Sequence, residues 1–289
     1  MTTRTVLASG LAIALGSMSA QALEVGLEIN FLKPANQDVV LGTNYFDTGA
    51  NDILKPDTDV GFKLHAQDGS WRASWLSLKS KTSTSVTDRD FDFYSSIDHP
   101  DDDYGSYDTL SASGKIELNE LGFDYLIPLA TASSTSVMLT AGLRYVMFES
   151  TLSANYDDGG QEIDRKADND LYGLRVGLEA SRELGPVTVD AVFGLGLAAG
   201  KSKFRQTETY SDWQRQLSFN STSTAVDAQV RVTYPLLDTA KVWLGYEFLQ
   251  YSDVATIQVF YDDVAEGANL QQGIDAGFHG FKLGFAWAF

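Results

Sequence analysis

The densest cluster of groups able to do acid–base or metal chemistry is the run Asp98-His-Pro-Asp-Asp-Asp-Tyr-Gly105. His99, with Asp98 or Asp101 to orient it, has the composition of a general base. The carboxylates beside Gly105 are the hard oxygen ligands that calcium takes. The run lacks the fixed ligand spacing of a helix–loop–helix calcium site, and no aspartate pair elsewhere can be matched to His99. It therefore reads as a solvated acidic loop, with no metal assigned. His65 lies within one alternating apolar segment and His279 starts another, and no Ser is set beside a His in a hydrolase-like arrangement. The chain has no Cys, which excludes a thiolate metal site, a Cys nucleophile and a disulfide framework. These readings lead to the expectation of a chain that is not an enzyme and uses no cofactor.

A second set of charged residues is spread along the sequence instead of clustered. Glu24, Glu28, Glu179, Asp190, Asp227 and Glu247, and likewise Lys63, Arg72, Arg144, Arg175, Arg231 and Lys282, share segments with apolar residues of the opposite parity. A strand sends successive side chains to opposite faces, so these charges occupy one side of strands whose other side is apolar. If the strands close into a wide barrel, segregated acidic and basic rows would line a water-filled channel and bias ion passage. In a narrow barrel the same residues would pair across the lumen and block it, because an isolated charge in a confined space is costly. Both readings stay open at this point.

Ten segments carry the period-two pattern: 23–31, 60–66, 71–79, one within 112–127, 137–147, 172–179, 187–197, 224–234, 242–248 and 280–289. In 112–127 the phase slips. Ile116 and Leu118 share one parity and Leu121, Phe123 and Tyr125 the other, which predicts a bulge near Asn119 or Glu120. The connections alternate. Those at 67–70, 128–135, 182–186 and 235–240 are short, and the intervening ones run to roughly 20 to 30 polar residues, as in barrels with short turns on one rim and long loops on the other. Trp71, Tyr125, Tyr145, Tyr172, Tyr234, Tyr251 and Trp287 recur near strand ends and suit two aromatic girdles. Trp243 falls on the charged parity instead.

The final segment is the most explicit. Phe281, Leu283, Phe285, Trp287 and Phe289 share one face of a strand that stops at the chain end. An exposed apolar terminal strand invites aggregation in water, whereas a lipid-facing strand requires that surface. A terminal Phe after such a strand also looks like an insertion signal for bacterial barrel-assembly machinery. At the other end, Arg4, the apolar run from Val6 to Gly16 and Ala20-Gln-Ala22 have the order of a secretory leader, with cleavage expected after Ala22 and the barrel occupying 23–289. The fold expected is all-β: an antiparallel up-and-down transmembrane barrel of about ten strands, within a range of 8–12, with both termini periplasmic. The formal charge of -18 argues against nucleic acid as a partner. The mean hydropathy of -0.14 is compatible with a membrane barrel, since only alternate strand residues meet lipid. Outer-membrane lipid, lipopolysaccharide and the insertion machinery are the partners expected.

The stretches Leu23-Glu-Val-Gly-Leu-Glu-Ile-Asn-Phe-Leu-Lys-Pro34 and Gly277-Phe-His-Gly-Phe-Lys-Leu-Gly-Phe285 resemble the Legionella-type pore-forming outer-membrane proteins, a major-outer-membrane-protein-like barrel family. The resemblance covers the two ends and the overall length, and it implies passive diffusion of small solutes or ions. A non-conducting surface barrel whose long acidic loops bind a ligand or host partner is the alternative. Ten strands is also the size of the omptin proteases, whose catalysis resembles a His-Asp pair working with two aspartates at the extracellular rim. Among the histidines only His99 lies well inside an outer loop, which makes a rim protease the third reading.

Overall fold

The computed structural model describes residues 23–289 apart from 36–38, 44–50, 55–56, 93–105, 157–160, 210–212 and 256–273. Its strands are β1 (Glu24–Ala35), β2 (Val39–Thr43), β3 (Asn51–Leu54), β4 (Asp59–Asp68), β5 (Trp71–Asp92), β6 (Ser106–Ala132), β7 (Thr135–Tyr156), β8 (Gln161–Leu184), β9 (Val187–Glu208), β10 (Trp213–Leu237), β11 (Ala240–Val254) and β12 (Ile274–Ala288). Ten of them, all but β2 and β3, form a closed antiparallel barrel. Neighbours in sequence pair around the wall, β5 pairs with β6, and β1 pairs with β12 from Glu24↔Ala288 to Ala35↔Gly277. The β2–β3 hairpin adds to the far end of β5 through Thr43↔Asp92. Closure leaves the ten wall strands without an open edge, so the apolar terminal strand is held on both sides.

Parity along each wall strand follows from where its apolar side chains can go. On β8, Tyr172, Leu174, Val176 and Leu178 face outward and are exposed, Leu174 by 65%. Gly173, Arg175, Gly177 and Glu179 face inward. Similar outward rows on β1, β9, β10, β11 and β12 join into a continuous apolar belt. Phe281, Leu283, Phe285, Trp287 and Phe289 all belong to it. From Tyr172 to Ala180 the outward row of β8 is apolar for about 26 Å along the strand, or about 20 Å along the barrel axis at the usual tilt, before exposed Arg182 interrupts it ahead of Leu184. Aromatic rings mark both edges. Trp71 packs on Phe123 and Tyr125 at 5.1 and 4.7 Å near the short turns, and Tyr145 stacks on Tyr172 at 4.6 Å at the opposite edge.

The short turns are tighter than the sequence suggested. Gly69 and Gly185 take positive φ, a conformation that costs glycine little, and two-residue turns also join β6 to β7 and β10 to β11. Leu23, the first described residue, and Phe289 sit at this rim, where the Phe289 N–H donates to the Leu23 carbonyl at 2.9 Å.

Three expectations are corrected. The predicted bulge near Asn119 or Glu120 does not exist: β5–β6 and β6–β7 run in unbroken register through it, and Ile116 and Leu118 point into the barrel while Leu121, Phe123 and Tyr125 point out. The phase changed because the barrel interior itself is apolar at that level. Second, much of the expected long loops is strand. β5 to β10 run for 22 to 27 residues, about 70 to 90 Å each, against 10 to 15 for β1, β4, β11 and β12. Above the belt the outer face meets water and the inner face is apolar only locally, as at Leu110, Leu152 and Ile163, so segments such as Ser83-Thr-Ser85 lose the apolar alternation while keeping β structure. Third, Tyr251 is not a girdle residue, being buried inside the barrel with its hydroxyl on Glu120.

A barrel closed in this way resists detergent unfolding until heated. Unheated protein is expected to migrate faster than boiled protein on a mild-detergent gel, and identical migration would contradict closure.

Candidate functional site

The twelve charged residues of the inward parity converge on one region of the lumen near the short turns. Eleven of them line a cavity of about 340 Å³; the twelfth, Lys282, is wholly buried at 0% exposure with its ammonium 3.1 Å from Glu28 and 3.6 Å from Glu247. Lys282 also donates to Gln229, and Lys63 approaches Glu247 at 3.9 Å. Each ionic group is met by partners from other strands, so the contacts run around and across the barrel.

The guanidinium groups make the firmest contacts. Arg175 forks onto Asp227 at 2.6 and 2.5 Å and also donates to the Thr140 hydroxyl at 3.1 Å. Room for that fork comes from Gly194, where a Cβ would collide with both the guanidinium and the Asp227 carboxylate. Arg144 binds Asp124 at 2.8 and 3.1 Å and Glu120 at 3.1 Å, while Arg72 bridges Asp124 and Glu179. Nearer the rim, Asp190 accepts from Arg231, Ser181 and Thr233, and Glu24 binds Lys241 at 2.6 Å with His65 at 3.8 Å. Trp243 is buried between His65 and the Arg231 guanidinium, 5.5 Å from the latter, against Gly284. Bidentate, cross-strand contacts of this kind satisfy charges that the narrow interior has removed from water.

The charges are therefore interleaved, not segregated. Around this chamber eight carboxylates meet seven ammonium or guanidinium groups, counting Lys282, which leaves it close to neutral in a chain of formal charge -18. Such pairing removes the field that a row of one sign would impose on passing ions.

Above the chamber the lumen becomes apolar. Leu32, Leu76, Leu78, Ile116, Leu118, Val146, Phe148, Leu171, Ala198, Leu249, Ala276 and Phe278 pack as one cluster, with Ala225 against it. Leu118 and Leu171 have 0% exposure, and Phe148 meets Phe278 edge-on at 6.4 Å. Nine wall strands contribute, and the tenth, β4, contributes a space: a Cβ on Gly61 would collide with the Leu78 side chain. The layer is thus complete around the barrel. Beyond it, Asp253 adopts φ 56° and the chain turns inward, so that Val254 and Ala255 are buried. The Asn169 side chain holds Ala255 from both ends of its amide, accepting from the Ala255 N–H at 2.9 Å and donating to the Ala255 carbonyl at 2.8 Å, and it also accepts from the Ser202 hydroxyl at 2.6 Å. A second cavity, of about 840 Å³, lies at the far end and is lined from β5 to β9 and by Asp57.

Sequence reasoning missed Glu120, Asp124, Lys241, Gln229 and His65 as members of this network. Carrying one parity through β6 would have exposed the first two, since Leu121, Phe123 and Tyr125 already assign the opposite face. The Asp98–Gly105 run, with His99, lies outside the described residues. Within them, His65 faces the chamber and His279 the exterior, where it meets the Tyr246 hydroxyl at 2.7 Å. No three metal-ligating side chains come together among the described residues.

No protein-family model matches the chain, and no curated protein matches it. Among solved structures it is similar to the outer membrane protease OmpT from Escherichia coli, at 12% identity over 94% of this chain and 98% of that one, with a TM-score of 0.49. It is also similar to a major outer membrane protein from Thermus thermophilus, at 12% identity, 94% and 100% coverage and a TM-score of 0.38. A third is the translocator domain of the autotransporter NalP from Neisseria meningitidis, at 9% identity, 98% and 95% coverage and a TM-score of 0.42. Likeness at these levels transfers no activity or site.

Lys282→Met is expected to destabilise the barrel by about 3–5 kcal/mol in urea unfolding from detergent micelles, because it leaves Glu28 and Glu247 buried without their shared cation. Adding Glu28→Gln and Glu247→Gln should recover most of the loss. A stability unchanged by Lys282→Met would show that the ammonium is hydrated.

Proposed function

We propose that the chain is a bacterial outer-membrane barrel whose lumen is closed, and that it acts through the surface it presents and not by passing solutes. The apolar layer centred on Leu118, Phe148, Leu171 and Phe278 carries this reading, because its side chains are packed and buried across the lumen above the charged chamber. The outer-membrane location is supported by the belt and its two aromatic edges. With the leader removed after Ala22, both termini belong on the periplasmic side with the short turns. The tall walls of β5 to β10 then stand outside the cell, where they and the connections between them engage a ligand or host partner. No reaction chemistry is assigned.

A passive pore is the second reading. It is favoured by the presence of a cavity on each side of the layer, so that displacement of the layer and of the Val254–Ala255 segment would join them.

Planar-bilayer recording separates the two. The wild-type chain is expected to give no discrete conductance steps at high protein load, whereas Leu118→Ala with Phe148→Ala and Phe278→Ala is expected to give them. Steady steps from the wild type would overturn the closed-lumen reading in favour of the pore.

A further inference from the structure

The outer wall changes character abruptly where the belt ends on β9. Phe193, Leu195, Leu197 and Ala199 face outward and are exposed, and the next three outward positions are Lys201, Lys203 and Arg205, also exposed. Successive outward residues on a strand lie about 7 Å apart, so three cations stand in file on one ridge. Like charges at that spacing repel, and among the described residues none of the three has an ion-pair partner.

The flanking strands sharpen the contrast. On the β8 side Asp170, Asp168 and Lys166 lie opposite Lys201, Lys203 and Arg205 in register. Lys166 is engaged by Glu149 at 2.7 Å and Asp168 at 3.1 Å. Further round, Lys115 sits on Glu117 at 2.9 Å and Glu149 at 3.5 Å, and Lys79 on Glu117 at 2.8 Å. Partial burial pushes the Glu117 carboxyl up, and the hydrogen bonds from Lys79 and Lys115 more than offset it, holding it below its ordinary value. The three lysines of that flank are matched by Glu117, Glu149 and Asp168, and Asp170, opposite Lys201, accepts from the Tyr145 hydroxyl at 3.1 Å. On the β10 side Gln216, Ser218 and Asn220 oppose Arg205, Lys203 and Lys201, and all are exposed, neutral hydrogen-bonding groups.

Position supplies the partner. At the usual strand tilt, Lys201, Lys203 and Arg205 stand about 5, 10 and 15 Å beyond the Ala199 level, in the headgroup zone outside the hydrocarbon core. A chain of formal charge -18 repels anionic headgroups in general, so contact with them requires a local reversal of sign. The ridge provides that reversal at headgroup depth, beside amides and a hydroxyl suited to sugar and phosphate oxygens.

We propose that Lys201, Lys203 and Arg205, with Gln216, Ser218 and Asn220 beside them, form a docking site for the phosphate groups of a phosphorylated glycolipid in the surrounding leaflet. The proposal rests on the outer-membrane reading. Phosphate accepts charge-assisted hydrogen bonds from ammonium and guanidinium, and the ladder spacing accommodates more than one phosphate on the same molecule.

The test uses the full barrel refolded in neutral detergent, titrated with bisphosphorylated lipid A, with enzymatically dephosphorylated lipid A and with phosphatidylglycerol, binding being read by native mass spectrometry. Bisphosphorylated lipid A is expected to bind at least about tenfold tighter than either of the others. Lys201→Gln with Lys203→Gln and Arg205→Gln should remove that preference, whereas Lys79→Gln with Lys115→Gln should leave it intact. Equal binding of the phosphorylated and dephosphorylated forms, equal binding of phosphatidylglycerol, or an unchanged preference in the triple variant would each overturn the proposal. Should the triple variant fail to fold, comparison of the three lipids on the wild type still decides. Insertion of the same sample into vesicles is scored by heat-modifiable migration. A barrel that inserts but shows no lipid preference sinks the docking site alone, and one that does not insert sinks the outer-membrane reading and the docking site together.

Discussion

The Lys282 ammonium has no exposed surface, and an ammonium taken out of water must be met by carboxylates and hydrogen-bond acceptors at close range or it is not tolerated. Glu28, Glu247 and Gln229 meet it from β1, β11 and β10, so a single charge ties together strands at opposite ends of the chain. The same constraint repeats around the chamber. Arg175 needs Asp227, Arg144 needs Asp124, and Arg72 needs Glu179. Inside a ten-stranded wall these groups crowd around one small chamber, and each pair therefore links particular positions on the strands that carry it.

Above the chamber the same narrowness is met by a different means. Side chains from nine strands fill the lumen with hydrocarbon, with Gly61 ceding its space to Leu78. The two fillings are complementary. Ion pairs impose specific partners and hence a unique register, while the apolar layer contributes the burial that such pairs do not supply on net. The apolar layer above the chamber is thus part of what holds the fold.

The lipid-facing half of this architecture was legible in the sequence because one physical rule governs it: outward residues must be apolar over the height of the belt, and the belt's edges take aromatic rings. All ten wall strands and the four tight turns follow from that rule. The interior obeys no single rule, and there the reading faltered. Ile116 and Leu118 are apolar because they pack inward, yet inward and outward apolar residues look alike, so β6 seemed to slip. Tyr251 similarly has the type of a girdle residue and the environment of a lumen residue. The upper walls look like loops in the sequence because their outer face meets water and only a few inward positions, such as Leu110, Leu152 and Ile163, are apolar. Which charges pair across the barrel, as Arg72 does with Glu179, depends on closure and tilt, which local pattern does not encode.

The absence of Cys makes a direct probe of the sealed lumen possible, since any introduced thiol is the only one in the chain. Leu118→Cys and Thr131→Cys barrels can be treated with a charged, membrane-impermeant thiol reagent and the rate of modification followed by mass spectrometry. With the lumen sealed, the thiol at 118 is expected to stay unmodified in the folded barrel and to react only after heat unfolding, while the thiol at 131, on the exposed short-turn rim, reacts at once. Modification of both at comparable rates in the folded state would contradict a sealed lumen.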